Sequence, residues 1–378
     1  MVNNKVKFAI VGCGRISCRH IEAITANQGA ELVALCDLNL ERARERGMDL
    51  NVKLYRDYNQ MLKEQEIDVV GIMTPSGMHA EHAMDIIDRY RKHVIIEKPV
   101  CLKISDGMEL IECARKNKVK LFAVHQNRFN KPVRKIRDGI ENNSIGKLVL
   151  GTVRLRWSRG QAYYDRDPWR GTWALDGGVL TNQAIHHIDL LRWLAGEVES
   201  VSAIAATRLV RVEVEDTACI WLKFTSGALG MIEATTAVRP LNNDLEASIS
   251  LLGENGVAIV EGASVNKLVT WTFGDINLAE FSENPPNVYG FGHDQIINNV
   301  VDTIAGKSEP AVNIEDAFKT VVLLSAIYRS IELGGKEVYL KDNPVSEKLG
   351  VIDKEHQKIA DLYRTDVVLK REKKCAHI

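Results

Sequence analysis

Two stretches of the 378-residue sequence combine residue types that can handle a proton. In Val94-Ile95-Ile96-Glu97-Lys98-Pro99 a charged pair ends an apolar run and meets a proline. Proline biases the residue before it away from helical geometry, so the chain stays extended and Lys98 projects at the end of its strand. An ammonium there can donate a hydrogen bond to a substrate oxygen and stabilise alkoxide character on it. A Glu-Lys pair at a strand end also serves as a plain surface ion pair. The second stretch runs from Trp169-Arg170-Gly171 through Asp176-Gly177-Gly178 to His186-His187-Ile188-Asp189. Leu180, Ala184, Ile188 and Leu191 recur as the packed stripe of a helix. Asn182 and His186 share a neighbouring face, with Asp189 three residues further on, so the helix can aim an amide and an imidazole into a cleft. Neutral imidazole suits proton abstraction near neutral pH, and His187 reads as a packed residue.

A third stretch suits phosphate. Ala9-Ile10-Val11-Gly12-Cys13-Gly14-Arg15-Ile16-Ser17 puts a Gly-x-Gly turn directly after an apolar run and opens a helix with it. Glycines let the backbone turn sharply and approach a pyrophosphate, whose charge sits at the positive end of the helix. Ser17 occupies the third fingerprint position in place of glycine or alanine and still permits close helix packing. Asp37 ends the next apolar run, 23 residues after Gly14. A carboxylate there can accept hydrogen bonds from both adenosine ribose hydroxyls and would repel a 2′-phosphate. Leu38, Asn39 and Leu40 follow without an arginine, which favours NAD over NADP. Thr74-Pro75-Ser76, after a run ending at Met73, can floor such a cofactor, or be a simple turn.

The elements that must position these groups follow from periodicity. Apolar runs at 6–11, 31–36, 68–73, 93–97 and 121–125 are separated by longer amphipathic segments. That pattern predicts parallel strands buried on both faces and joined by crossover helices, an α/β doubly wound sheet over residues 1–125. Beyond it, after a helical segment near 131–142, strand-like runs lie around 148–157, 198–207, 217–224, 228–237, 247–252 and 257–260. Short turns such as Thr225-Ser226-Gly227 and Gly253-Glu254-Asn255-Gly256 join several of them and imply antiparallel pairing. We expect an α+β domain over 126–345, with an open, mainly antiparallel sheet, a main helix near 178–194 and closing helices near 293–305 and 314–333. A separate charged tail over 346–378 follows.

Composition excludes several partners. Lys plus Arg total 49 against 50 Asp plus Glu, and the one dense basic run, Lys370, Arg371, Lys373 and Lys374, is broken by Glu372 and reads as solvated. Nucleic-acid binding is therefore not expected. No window approaches the ~20 apolar residues of a spanning helix, so no membrane is expected either. The seven cysteines are scattered without a CxxC pair or a Cys/His cluster at zinc spacing. That implies free thiols, no metal and a cytoplasmic setting.

Gly12-Cys13-Gly14-Arg15, Thr74-Pro75-Ser76-Gly77-Met78-His79, Glu97-Lys98-Pro99, Asn127-Arg128-Phe129 and the stretch from Asp176-Gly177-Gly178 to Asp189 together resemble one family. It is the glucose-fructose oxidoreductase, inositol dehydrogenase and rhizopine catabolism (Gfo/Idh/MocA) family, and the resemblance runs in order from residue 5 to about 340. It implies a Rossmann domain followed by an α/β domain whose open sheet commonly serves oligomerisation, as tetramers or dimers. It also implies that Lys98 is the catalytic lysine and His186 the proton-transferring histidine. Polyol dehydrogenases of the family usually carry Asp four residues before that histidine, where this chain has Asn182. An amide can neither take a proton nor supply a negative charge, which leaves the acid/base work to His186 and Lys98.

Tyr163-Tyr164 ahead of Trp169-Arg170-Gly171, with Gln183 and Val288-Tyr289-Gly290-Phe291-Gly292-His293, is similar to nucleotide-sugar members of the UDP-N-acetyl-2-amino-2-deoxyglucuronate 3-dehydrogenase type. Those make a 3-keto sugar for a partner aminotransferase. Such a ligand calls for cations, which Arg154, Arg156, Arg159, Arg166 and Arg170 can supply. Arginines alternating on a strand equally line a solvated or subunit-facing sheet, and both readings stand. The resemblance gives Gly12, Gly14, Arg15, Ile16, Asp37, Thr74, Pro75, His79, Glu97, Lys98, Gln126, Trp169 and Arg170 as cofactor contacts. Lys98, Arg156, Tyr163, Asn182, His186 and Tyr289 are the expected substrate contacts, with Lys98, His186 and Asn182 at the reacting centre. The expected reaction is NAD-dependent oxidation of a secondary ring hydroxyl, at C3 of a UDP-N-acetylated amino sugar or its uronic acid, for polysaccharide or lipopolysaccharide synthesis. An inositol or free-sugar dehydrogenase is the alternative within the family. A non-catalytic NAD(H)-binding sensor is the alternative outside it, although a mere binder needs neither Lys98 nor His186.

Overall fold

The computed structural model describes residues 5–239 and 246–364. Its first sheet holds β1 (Val6–Val11), β2 (Ala30–Cys36), β3 (Lys53–Tyr55), β4 (Val69–Ile72), β5 (His93–Ile96) and β6 (Leu121–Ala123). The order is β3-β2-β1-β4-β5-β6 with every neighbouring pair parallel. This is the expected doubly wound sheet, with Phe8, Ala9, Ile10, Val69, Val70 and Ile72 wholly buried at its centre. β3 escaped the periodicity because Lys-Leu-Tyr is too short to read as an apolar run. Strand order reverses between β1 and β4, so the loops after Val11 and Ile72 flank the switch point where such sheets take ligands.

The chain divides into two compact units that are not sequential. The first takes the residues up to Val124, then His293–Phe318, then those from Ile352 on; the second takes His125–Gly292 and Lys319–Val351. An expected single second domain with a detached tail therefore gives way to a first unit that the chain revisits twice. An amphipathic stripe shows that a helix packs, not on which body it packs. The segment after Ile352 is docked: Asp353 caps the helix Lys354–Asp361, the Tyr363 carbonyl lies 3.0 Å from His82 Nε2, and Arg364 donates to both Glu81 oxygens. The basic run at 370–374 lies outside the described residues.

The second unit is built on β7 (Leu148–Arg156), β8 (Val198–Ala206), β9 (Thr217–Phe224), β10 (Leu229–Thr235), β11 (Glu246–Gly253), β12 (Gly256–Glu261), β13 (Lys267–Trp271) and β14 (Val338–Tyr339). Their order is β13-β12-β11-β7-β10-β9-β8-β14, antiparallel except for the parallel β7–β10 pair. One face is core: Ala218, Ile220, Leu222 and Phe224 of β9 are buried while Trp221 between them is 63% exposed. The helix Ile185–Ala195 lies on the core face, where a Cβ on Gly151 would come within 2.8 Å of Leu191, so glycine in β7 sets how closely that helix approaches. The opposite face leaves Ile204, Trp221 and Leu229 more than half exposed. Among the described residues no helix is long and apolar enough to cross a membrane.

Candidate active site

In the first unit the candidate groups gather where β1, β4 and β5 end. Gly12 has φ +95°, and a Cβ on it would lie 2.6 Å from the Met73 carbonyl. Only glycine lets these loops meet at the switch point. At Gly14 a Cβ would meet no protein atom within 4 Å, so that glycine borders a space the chain leaves open, as a pyrophosphate cradle requires. Ser17 Oγ donates to the Gly14 carbonyl at 2.7 Å, which is how a serine fits the third fingerprint position. Asp37 Oδ2 accepts the Cys13 N–H at 2.7 Å and Oδ1 the Asn39 N–H at 2.8 Å. Each oxygen keeps a second lone pair. Sequence adjacency missed one neighbour, because Arg56 Nε donates to the Leu38 carbonyl at 3.2 Å.

Thr74 is braced from its own helix. His79 Nε2 lies 2.8 Å from the Thr74 carbonyl and Nδ1 2.7 Å from that of Pro99, tying the β4 and β5 loops together. Two carbonyl acceptors are both satisfied only by an imidazolium, while burial pulls the His79 pKa below its ordinary value. His82 Nδ1 approaches Thr74 Oγ1 at 3.1 Å. Glu97 is 4% exposed, with Oε1 2.8 Å from His20 Nε2 and Oε2 accepting the Lys98 N–H at 3.1 Å. Burial opposes its charge, but the hydrogen bond and charge of His20, with His293 and Lys98, outweigh it and hold the carboxyl at about 2. Lys98 is half-buried and precedes a cis peptide bond to Pro99.

In the second unit the expected helix near 178–194 is two pieces, Val179–Asn182 and Ile185–Ala195. The Val179 carbonyl accepts from both Gln183 and Ala184, at 3.1 and 2.8 Å, so one turn widens between Asn182 and His186. Leu180, Ala184, Ile188 and Leu191 are all fully buried regardless, which is why the stripe gave no warning. Asn182 and His186 are half-buried. His187 is packed, and burial lowers its pKa to about 4. Asp189 faces the core, taking two hydrogen bonds from Arg128 at 2.7 and 2.6 Å and one from Thr320 at 2.8 Å. Burial opposes that charge, and Arg128 with His125 holds the carboxyl well below the usual range.

The amide at 182 has a carboxylate behind it. Asn182 Nδ2 donates to Asp176 Oδ1 at 2.5 Å, while Asp176 Oδ2 accepts the Gly171 N–H at 2.8 Å. This turns Asn182 Oδ1 towards the Tyr163 hydroxyl at 3.4 Å and Gln183 Nε2 at 3.2 Å. Arg170 donates to the same hydroxyl at 2.7 Å, and its guanidinium lies 4.6 Å from the ring centroids of both Tyr163 and Trp169. A cation, a phenol and an amide carbonyl thus converge. Arg170 and Thr172, with Arg211, also line an open depression of about 540 Å³.

Arg156 is on the open sheet face, bound through two hydrogen bonds to Glu233 at 2.5 and 3.1 Å, the geometry of the sheet-lining reading. Arg154 pairs with Glu246 on that face. Tyr289 is half-buried in the loop before the helix Gly292–Ile304. Gln126 is 3% exposed in a short turn of helix. Sequence reasoning also missed Glu215. Its Oε1 accepts from Leu180 N–H at 3.0 Å and Tyr328 Oη at 2.9 Å, holding the start of the short helix that ends in Asn182. No spacing signal links positions so far apart.

Two outcomes follow for the second unit. Asn182→Asp would set a second carboxylate where Asp176 already receives a 2.5 Å hydrogen bond. Its melting temperature is expected to fall further below wild type at pH 8, with both groups ionised, than at pH 5, and adding Asp176→Asn is expected to reverse most of the loss. Equal losses at both pH values would refute the pairing. Burial pushes the Glu215 carboxyl up to about 7 from 4.5. The folded state then keeps a proton that the unfolded chain releases, so stability falls as pH rises from about 4.5 to 7. Urea titrations should show wild type losing up to about 3 kcal/mol more than Glu215→Gln between pH 4.5 and 8, and parallel curves would contradict this.

Comparison with known proteins agrees with the geometry. Residues 6–125 match a family model for oxidoreductases with an NAD-binding Rossmann fold, and residues 133–259 match the GFO/IDH/MocA C-terminal domain. The chain is 37% identical to the WlbA dehydrogenase from Bordetella pertussis, solved in complex with NADH and UDP-GlcNAcA, over 90% of this chain and 99% of that one, with a TM-score of 0.85. The WlbA enzyme from Chromobacterium violaceum, solved with the same two ligands, is 35% identical over 90% of this chain and 97% of its own, with a TM-score of 0.82. Myo-inositol 2-dehydrogenase from Thermotoga maritima is 28% identical over 86% of this chain and 96% of its own. Two family models that follow one another along most of the sequence, the first over the sheet that carries the glycine turn and Asp37, establish that the chain belongs to the Gfo/Idh/MocA oxidoreductases and uses NAD.

Proposed function

We propose that the protein oxidises a secondary ring hydroxyl, at C3 of a UDP-N-acetylated amino sugar or its uronic acid, to the ketone. The observation that carries this reading is 37% identity, over nine-tenths of the chain, with a structure that holds NADH and UDP-GlcNAcA. NAD bound at the glycine turn supplies the hydride acceptor. The N–H groups of Arg15 and Ile16, after Gly14, would hold its pyrophosphate and Asp37 its ribose, with Thr74 and Pro75 bordering its reactive end. Gln126 and Trp169 are further proposed contacts.

His186 takes the hydroxyl proton, and Lys98 donates a hydrogen bond to the oxygen as alkoxide character develops. Asn182 Oδ1 accepts from a sugar hydroxyl, while Arg170, Tyr163 and Tyr289 line the site, the guanidinium answering the negative charge of the ligand. A 3-keto sugar is the class of product that an aminotransferase consumes. The open sheet face with Ile204, Trp221 and Leu229 exposed is covered by a second copy, in a dimer or tetramer. The protein acts in nucleotide-sugar supply for surface polysaccharide in the cytoplasm.

Lys98→Met is expected to bind NAD as wild type does and to lose turnover on UDP-GlcNAcA by about 10²- to 10⁴-fold; undiminished turnover would end the mechanism. NAD reduction should be measured across UDP-sugars, myo-inositol and free hexoses. Preference for inositol would favour the kinship with the inositol dehydrogenase, and no reduction by any would favour a sensor. Sedimentation should show wild type as a dimer or tetramer and Trp221→Glu as a smaller species. A monomeric wild type would refute the covered face.

A further inference from the structure

We infer that Glu97, clamped between His20 and His293, is a positioning residue for Lys98, fixing its backbone and placing a negative charge beside its ammonium. The inference rests on the role proposed above for Lys98. Three elements of the first unit meet here: His20 comes from the helix Ser17–Ala26 behind the glycine turn, Glu97 ends β5, and His293 is the second residue of the helix Gly292–Ile304. Their side chains are 0%, 6% and 5% exposed. His20 Nε2 and His293 Nε2 both face Glu97 Oε1, at 2.8 and 3.9 Å, and the two rings pack edge to face with centroids 5.0 Å apart. The other oxygen accepts the Lys98 N–H at 3.1 Å. One oxygen is anchored in the unit and the other holds the peptide that carries the lysine.

Charge supplies the second half of the argument. The ionisable groups around the pair are His20 and Arg19 from the first helix, His293 from the late one, and His79, whose ring reaches the Pro99 carbonyl. Burial, with the charge of His20, lowers the His293 pKa to about 3, so that ring adds no cation near neutral pH. A buried carboxylate costs several kcal/mol unless it is well paired; a glutamine avoids that cost, but with a single acceptor oxygen it keeps the Lys98 N–H bond only by turning its NH2 towards His20 Nε2. What glutamine lacks is the field at Lys98, which favours the charged form of the amine. The donor atoms of the trio lie within 4.8 Å of one another, so a divalent cation is the competing occupant. The direct 2.8 Å contact between His20 and Glu97 is hydrogen-bond distance, so these two atoms are already paired with each other.

Glu97→Gln in the full-length enzyme tests this. It should lose about 10-fold or more in kcat and shift the alkaline limb of its kcat/KM profile down by about one pH unit. The sign follows because removing an anion lets the ammonium deprotonate at lower pH. Glu97→Asp keeps the charge but shortens the reach, so kcat should fall with the limb in place; this variant also serves if the amide does not fold. An unmoved limb in Glu97→Gln, or a downward shift in Glu97→Asp, overturns the inference. So does stoichiometric zinc bound by wild type and lost in His293→Ala. Lys98→Met separates the two readings: if it retains turnover, the role of Lys98 fails, whatever Glu97 variants show.

Discussion

A carboxylate that is 4% exposed at the end of β5 dictates much of the first unit. Burying an ion costs several kcal/mol, and its partners must come from wherever the chain can supply them. His20 arrives from the helix that opens at the glycine turn, so the element that follows this turn also clamps the residue before Lys98. His293 arrives only after the whole of β7 to β13 has been built. The return of His293–Phe318 to the first unit thus completes the surroundings of Glu97. The same logic holds at Thr74. His79 and His82 fix it from their helix, and the segment after Ile352 supplies the carbonyl of Tyr363 to the far nitrogen of His82.

In the second unit the controlling constraint is the sheet with one dry face. Its buried side seats the helix Ile185–Ala195, while Glu215 presses so closely beneath Gly178 that a Cβ there would come within 2.3 Å of its carboxyl. Glycine at 178 and the buried Glu215 carboxyl, which accepts from the Leu180 N–H and Tyr328 Oη, therefore set the start of the short helix that presents Asn182. The widened turn after it rotates His186 relative to Asn182 without unburying any residue of the apolar stripe.

The parallel sheet, its switch point and the sheet of the second unit were legible because each rests on local pattern: continuous apolar runs, period-two alternation and glycine turns. The positions of the glycine turn, Asp37 and Lys98 at strand ends were legible because the apolar runs before them stop there. What was hidden depends on contacts far apart in sequence. Nothing local marks His20 and His293 as partners of Glu97, Glu215 as the support of Gly178, or Arg56 as the neighbour of Leu38. Asp189 shows the reverse error of pattern. Helical spacing put it near His186, yet Arg128 draws it into the core, which also explains the Asn127-Arg128-Phe129 motif structurally.

Asn182 looks like a lost acid when compared with the aspartate usual in polyol members of the family. The structure moves the charge back by one layer instead. Asp176 is 1% exposed and receives the amide N–H, so the group turned towards Tyr163 is a polarised carbonyl, still an acceptor but without net charge. Two like charges 4 Å apart repel by about 4 kcal/mol at an effective dielectric constant of 20. A carboxylate in that place would therefore oppose a ligand bearing a diphosphate and a uronate, whereas an amide accepts a hydroxyl hydrogen bond and keeps the Asp176 charge one side chain further back. Under the proposed reading, the asparagine adapts the site to an anionic sugar, and the near-zero net charge of the chain hides a local field arranged residue by residue.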